Sequence, residues 1–178
     1  MTARFRQGAG RLSLDYVRTL RRRGKPGAVE ELPDPEALAA WITECSPIPV
    51  STLPTPEQVA VAQDLREAVY GLLTGSDGAA GRRLVNAAAA RPTPAPELDS
   101  AGGLRWRADD TVEATLSLVA RDAVDLVSSP AIHRVRPCAD PDCSALFLDS
   151  SRPGRRRWCS MDTCGNRAKK ESLRARTG

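Results

Sequence analysis

The sequence predicts a mainly α protein with a small β component. A helical N-terminal body over residues 1–130 is followed by a compact, treble-clef-like four-cysteine module over residues 131–178. Three observations carry this reading. Apolar residues recur at helical spacing through most of the first 129 positions. Capping patterns mark where those helices start. Four of the five cysteines form two C-x4-C pairs, Cys138/Cys143 and Cys159/Cys164, fifteen residues apart.

Taken in order, residues 12–23 place Leu12, Tyr16 and Leu20 at i, i+4 spacing beside Leu14 and Val17, which predicts a short amphipathic helix ended by Gly24 to Gly27. Asp34 followed by Pro35 is a cap and a first helical position, with Ala37, Leu38, Trp41 and Ile42 as the buried face and Pro47 as the stop. Thr55 and Gln58 form a capping box, after which Val59, Ala62, Leu65, Val69 and Leu72 or Leu73 define a long helix up to Gly75. Gly81 to Ala90 is a further helix with Leu84, Val85 and a run of alanines, ended by three prolines between 92 and 96. Leu104 to Arg107 alternates apolar and polar residues as a short strand does. Asp110 and Glu113 then open a second long helix carrying Val112, Leu116, Val119, Ala123 and Leu126, which ends before Pro130.

Composition narrows the classes. At 178 residues there is room for one ordinary domain and a small appendage. No apolar run approaches the roughly 20 residues needed to cross a bilayer, so a soluble, cytoplasmic protein with no membrane partner is expected. His133 is the only histidine, which leaves little scope for histidine-based catalysis.

Two thiolates from each of two tight turns supply the tetrahedral all-sulfur shell of one structural Zn²⁺. The alternative, two disulfides, needs an oxidising compartment, and residues 1–10 contain Arg4 and Arg6 with no apolar export segment after them. The fifth cysteine, Cys45, ends the helix of Trp41 and Ile42; it reads as a small buried hydrophobe, with a redox sensor as the alternative.

Charge is unevenly placed. Residues 131–178 hold 11 Lys and Arg against 5 Asp and Glu, while the remainder holds 15 against 17. Zinc-bound thiolates would subtract two charges and still leave the module basic. Between the cysteine pairs, Leu146 to Leu148 and Arg155 to Trp158 are expected to pair as a hairpin around a turn at 150–154, and a last helix is expected from Cys164 or Gly165 through Arg174. Arg167, Lys170 and Arg174 share a face of that helix with Lys169 beside them, and the hairpin adds Arg152, Arg155, Arg156 and Arg157. Arginine forks suit phosphate oxygens and guanine edges, so double-stranded DNA is the expected partner. The alternative is a solvated charged face in which Glu171 pairs with Arg167. Gly165 is expected to allow a backbone conformation or a close approach, and Asn166 to brace a knuckle or donate to a thiolate.

The string Arg156-Arg157-Trp158-Cys159-Ser160-Met161, followed by Cys164-Gly165-Asn166-Arg167-Ala168-Lys169, resembles the bacterial CGNR zinc finger. Arg134-Val135-Arg136 and Leu146-Phe147-Leu148-Asp149 are similar to the same family. Leu12 to Leu20 resembles the opening motif of the ABATE domain that usually precedes this finger, with Arg18 where Asn would be usual. The resemblance covers nearly the whole chain. It implies that the four cysteines bind zinc, that the finger contacts DNA, and that the N-terminal part regulates it through a small-molecule effector or a homodimer. The reading from the residues alone keeps an RNA-binding or protein-interaction module with a purely structural zinc as the second hypothesis. An enzyme is not expected, because a closed four-thiolate zinc has no position for water and no catalytic motif is present.

Overall fold

The computed structural model describes residues 4–50 and 52–177. Its elements run α1 (Leu12–Val17), β1 (Leu20–Arg21), β2 (Val29–Glu30), α2 (Pro35–Cys45), α3 (Pro56–Thr74), α4 (Ala79–Ala89), β3 (Ala95–Leu98), β4 (Leu104–Arg107), α5 (Thr111–Ser128), a 3₁₀ turn (Pro130–Arg134), β5 (Val135–Pro137), β6 (Leu146–Leu148), a π turn (Met161–Gly165) and α6 (Asn166–Thr177). Helix dominates, and the strands form three separate two-stranded antiparallel ribbons.

Three helices of the body, α2, α3 and α5, start where their caps are. Asp34 accepts from Ala37 N, and α2 buries Ala37, Leu38, Trp41 and Ile42. Thr55 and Gln58 satisfy each other's backbone donors at the start of α3, and Gly75 ends that helix at φ 70°. Of the two leucines near its end, Leu73 is the buried one. Asp110 accepts from Glu113 N to open α5, whose Val112, Leu116, Val119, Ala123 and Leu126 all lie in the core. In α4 only Val85 is buried, and Leu84 faces outward.

Helix α1 has no side-chain cap of its own; Asp122 from α5 serves instead, its Oδ2 accepting from Ser13 N at 2.8 Å and Ser13 Oγ at 2.5 Å while Oδ1 takes Arg11 Nε at 2.8 Å. That ties the first helix to the fifth.

The first helix is shorter than its periodicity predicts. It stops at Val17, and Leu20–Arg21 turns back as a strand against Val29–Glu30. The cause is tertiary: Glu31 N donates to Thr19 O, and Glu30 takes a two-pronged ion pair from Arg66 of α3, both contacts at 2.6 Å. Arg66 is 3% exposed, so its charge is met inside the protein. Burial raises the Glu30 carboxyl, but the Arg66 fork and the Leu32 N–H outweigh it and hold it below its ordinary range.

Strand β4 occupies the expected residues, and its partner is β3, which begins inside the proline-rich stretch and pairs Pro96 with Trp106. A two-stranded ribbon has free edges, so a proline there breaks no ladder.

The C-terminal module packs onto the body. Phe147, fully buried, and Leu146 belong to the same continuous core as Leu14, Leu38, Val119 and Leu126. Leu148 N donates to Ala9 O at 2.8 Å, bringing β6 against the segment before α1. Gly10 makes the approach feasible: its φ is +98°, and a Cβ there would lie 3.1 Å from Leu148 Cβ.

The hairpin inside the module differs from the expected one. β6 pairs with β5, with Val135 opposite Leu148 and Pro137 opposite Leu146, so the first C-x4-C turn is itself the hairpin loop. Residues 155–158 run as irregular chain. Proximity explains the choice, since Cys138 N to Ala145 O at 2.8 Å closes a short loop between the two strands, while Leu148 N of β6 bonds to Ala9 O.

Candidate metal centre and its cationic surroundings

The four cysteine Sγ atoms lie within 4.8 Å of one another. Cys143 is 3.5 Å from Cys159, and Cys159 is 3.7 Å from Cys164, sulfur to sulfur. A tetrahedral zinc with bonds of about 2.3 Å needs sulfurs about 3.8 Å apart, so the spacing fits one ion. A disulfide would need about 2.05 Å, and all four residues are free thiols.

Each pair sits on a backbone-braced turn. In the first, Cys143 N donates to Asp140 O at 3.0 Å, Asp142 N to Asp140 Oδ1 at 2.9 Å, and Ser144 adopts φ 51° as the chain enters β6. In the second, Gly165 N reaches Ser160 O at 3.0 Å, an i to i+5 bond that closes the π turn around Cys164. The turns are joined by Cys159 N donating to Cys138 Sγ at 3.4 Å and Ala139 N to Arg157 O at 2.8 Å. Donation to sulfur of this kind orients a thiolate ligand.

Proton affinity across the cluster is uneven. Hydrogen bonding, first from the Cys159 thiol, pushes Cys143 down to about 5. The same bond, with burial, pushes Cys159 up, and burial with a hydrogen bond to Asp140 takes Cys164 up to about 12. Metal binding therefore displaces protons from the buried thiols.

Asp149 organises the loop between the pairs. Fully buried, it accepts from Ser151 N at 3.0 Å and Ser151 Oγ at 2.6 Å on one oxygen and from Arg156 N at 3.0 Å on the other. The Ser151 hydroxyl bond, ahead of the backbone donors, holds its carboxyl below the ordinary range. Composition gave no sign of this role, although an Asp followed by Ser-Ser is a turn signal.

The basic residues divide. Arg156 is turned inward: its Nε donates to Trp158 O at 2.8 Å and its Nη2 to Cys159 O at 2.5 Å, with the guanidinium 4.8 Å from the Phe147 ring centre. Arg167 pairs with buried Asp140 at 3.2 Å. Arg152, Arg155, Arg157, Lys169, Lys170 and Arg174 are exposed. Asn166 Nδ2 donates to Asp162 O at 3.2 Å, bracing the π turn and leaving the sulfurs to other donors. Gly165 is buried beneath Met161 and Trp158.

Residues 10–130 match the model of the ABATE family, described as a putative stress-induced transcription regulator, and residues 134–177 match the CGNR zinc finger. The chain belongs to the ABATE family. No curated protein matches it. Within the CGNR finger, the cysteine cluster is positioned to hold one zinc ion, and Cys164-Gly165-Asn166-Arg167 supplies in turn a ligand, a close approach, a backbone brace and an ion pair. No helix among the described residues is long and apolar enough to cross a membrane.

Proposed function

We propose that this protein is a DNA-binding transcriptional regulator in which a single structural zinc shapes a cationic surface for the duplex. The observation that carries the reading is the separation of roles around the metal. Arg156 is spent on holding the loop, whereas Arg152, Arg155, Arg157, Lys169 and Lys170 stand exposed on the same small module. Contacts to phosphate dominate such a surface, and arginines reaching base edges add sequence preference. Four thiolates fill a tetrahedral shell, so the zinc is read as closed to catalysis and the protein as a regulator without enzyme activity. The deep burial of Phe147 weighs against base stacking of single-stranded RNA, which needs exposed aromatic faces. On the body, the β3–β4 ribbon exposes Leu98, Leu104 and Trp106, an apolar face that supports pairing of two copies.

Fluorescence anisotropy on duplex DNA over a range of salt concentrations tests the reading. Arg155→Gln with Arg157→Gln is expected to weaken binding and to lower the slope of log affinity against log salt by about 1.8, roughly 0.9 for each phosphate no longer neutralised. An unchanged slope removes this loop from the interface, and preference for single-stranded RNA over duplex overturns the assignment to DNA.

A further inference from the structure

Among the described residues, five buried polar side-chain atoms lack a hydrogen-bond partner: Arg18 Nε, Arg22 Nε, Arg23 Nη2, Asp140 Oδ2 and Ser144 Oγ. Four of the five belong to residues lining one cavity of about 190 Å³. Its wall is drawn from both matched stretches: β1 and the turn after it, Tyr70 of α3, the first cysteine turn, and the start of α6.

The chemistry of those four atoms is one-sided. Guanidinium nitrogens only donate, and a serine hydroxyl donates as readily as it accepts. Buried donors are nearly always met in native proteins, so four on residues that line one space are donor capacity that the chain's own oxygen and sulfur acceptors leave unused, just behind the cavity surface. Neither a carboxylate nor a cysteine sulfur serves them.

Charge points the same way. Six arginines line the cavity, Arg6, Arg18, Arg21, Arg22, Arg23 and Arg167, against the single carboxylate of Asp142, which lies 3.8 Å from Arg22 Nη2. The carboxylates paired with Arg18, Arg21, Arg23 and Arg167 are Asp15, Glu31, Glu67 and Asp140, none of which lines it. A zinc held by four thiolates would add two negative charges near Cys143 and Cys164, and the wall would still be cationic. Arg18 is the deepest of the six at 5% exposed; its Nη1 reaches Asp15 at 3.2 Å while its Nε meets nothing. Arg22 and Ser144, the two non-glycine residues with positive φ among the described residues, both lie on this wall.

We propose that this cavity binds a phosphate group, as inorganic phosphate or a small phosphomonoester, clasped between the ABATE stretch and the zinc finger. Donors spread over four residues around the space suit the tetrahedrally arranged oxygens of phosphate better than the planar pair of a carboxylate, and guanidinium forks match phosphate edges. The burial of Arg18, at 5% exposed, and of Arg23, whose side chain is 13% exposed, favours a small free anion over a bulky duplex backbone. A ligand touching both stretches stabilises their packed arrangement by binding it preferentially. The proposal stands on the cavity alone and does not need the finger to hold DNA.

The test is calorimetric titration of the zinc-loaded full chain with inorganic phosphate at constant ionic strength, together with its thermal midpoint. Saturable one-to-one binding and a midpoint that rises with phosphate are expected. Ser144→Ala and Arg22→Gln, which alter partly exposed residues, should melt as the parent does without phosphate and bind it about tenfold more weakly or worse. Arg18→Gln should lose the phosphate-dependent rise. Absence of saturable heat, the same stabilisation by chloride, or parental affinity in both Ser144→Ala and Arg22→Gln overturns the site. Tighter binding of malonate than of phosphate overturns the choice of ligand, and displacement of bound phosphate by a short duplex reassigns the donors to the DNA backbone.

Discussion

Gly165 is a glycine for space, not for backbone freedom. It has no positive φ, and a Cβ there would lie 2.9 Å from Met161 Cε and Sδ and 3.4 Å from Trp158 Cδ1. Met161 is half exposed and its thioether end is mobile, so it can swing aside. Gly165→Ala is therefore expected to cost less than about 1 kcal/mol and to shift the thermal midpoint of the zinc-loaded protein by only a few degrees, whereas Gly165→Val, pressing on Trp158, should destabilise it visibly in the same melt. Arg156 gives the complementary lesson. In the sequence it is one of three adjacent arginines; in the structure two backbone carbonyls and the Phe147 ring take up its guanidinium. At Cys45, burial, with Glu44 and Asp15 nearby, pushes the thiol up to about 12, so it is a protonated, half-buried packing group at neutral pH.

Among the elements, those with a local stop and start were legible. α2, α3 and α5 begin at Asp34, Thr55 and Asp110, where capping chemistry is written into neighbouring residues. Thr55→Ala should cost about 1 kcal/mol, because it strands Gln58 N and breaks the reciprocal bond; chemical denaturation should show a lower midpoint with an unchanged denaturant dependence. Elements decided by a distant partner were not legible. The end of α1 depends on Arg66 reaching Glu30 across 36 residues, and β6 pairs with β5 because the cysteine turn brings those two together first. An apolar triplet such as Leu146 to Leu148 announces a strand without naming its neighbour.

For the whole molecule, the zinc finger is stapled twice, by its metal and by the body. Phe147 and Leu146 share the main core, and Leu148 bonds to Ala9, whereas α6 makes no comparable apolar contact: its residues 171–176 are all exposed. Chelating the metal is expected to loosen the cysteine turns and α6 while α2, α3, α4 and α5 persist. Circular dichroism should then lose no more than the share of the five-residue π turn and the twelve-residue α6, and the melting midpoint of the remainder should fall because the Phe147 packing is weakened. Collapse of all helical signal on chelation would show instead that the body depends on the finger to fold.

The sequence by itself determined the helical body, its caps and its buried stripes, the four cysteines and the basic surplus around them. Each follows from spacing within a few residues, and short-range geometry survives any tertiary arrangement. Only the tertiary structure decided which arginines turn inward, which strand pairs with which, and that Arg18, Arg22, Arg23 and Ser144 face one space. The last depends on side chains more than a hundred residues apart meeting, the others on which hydrogen bonds are met once the chain is packed, and no local pattern records that accounting.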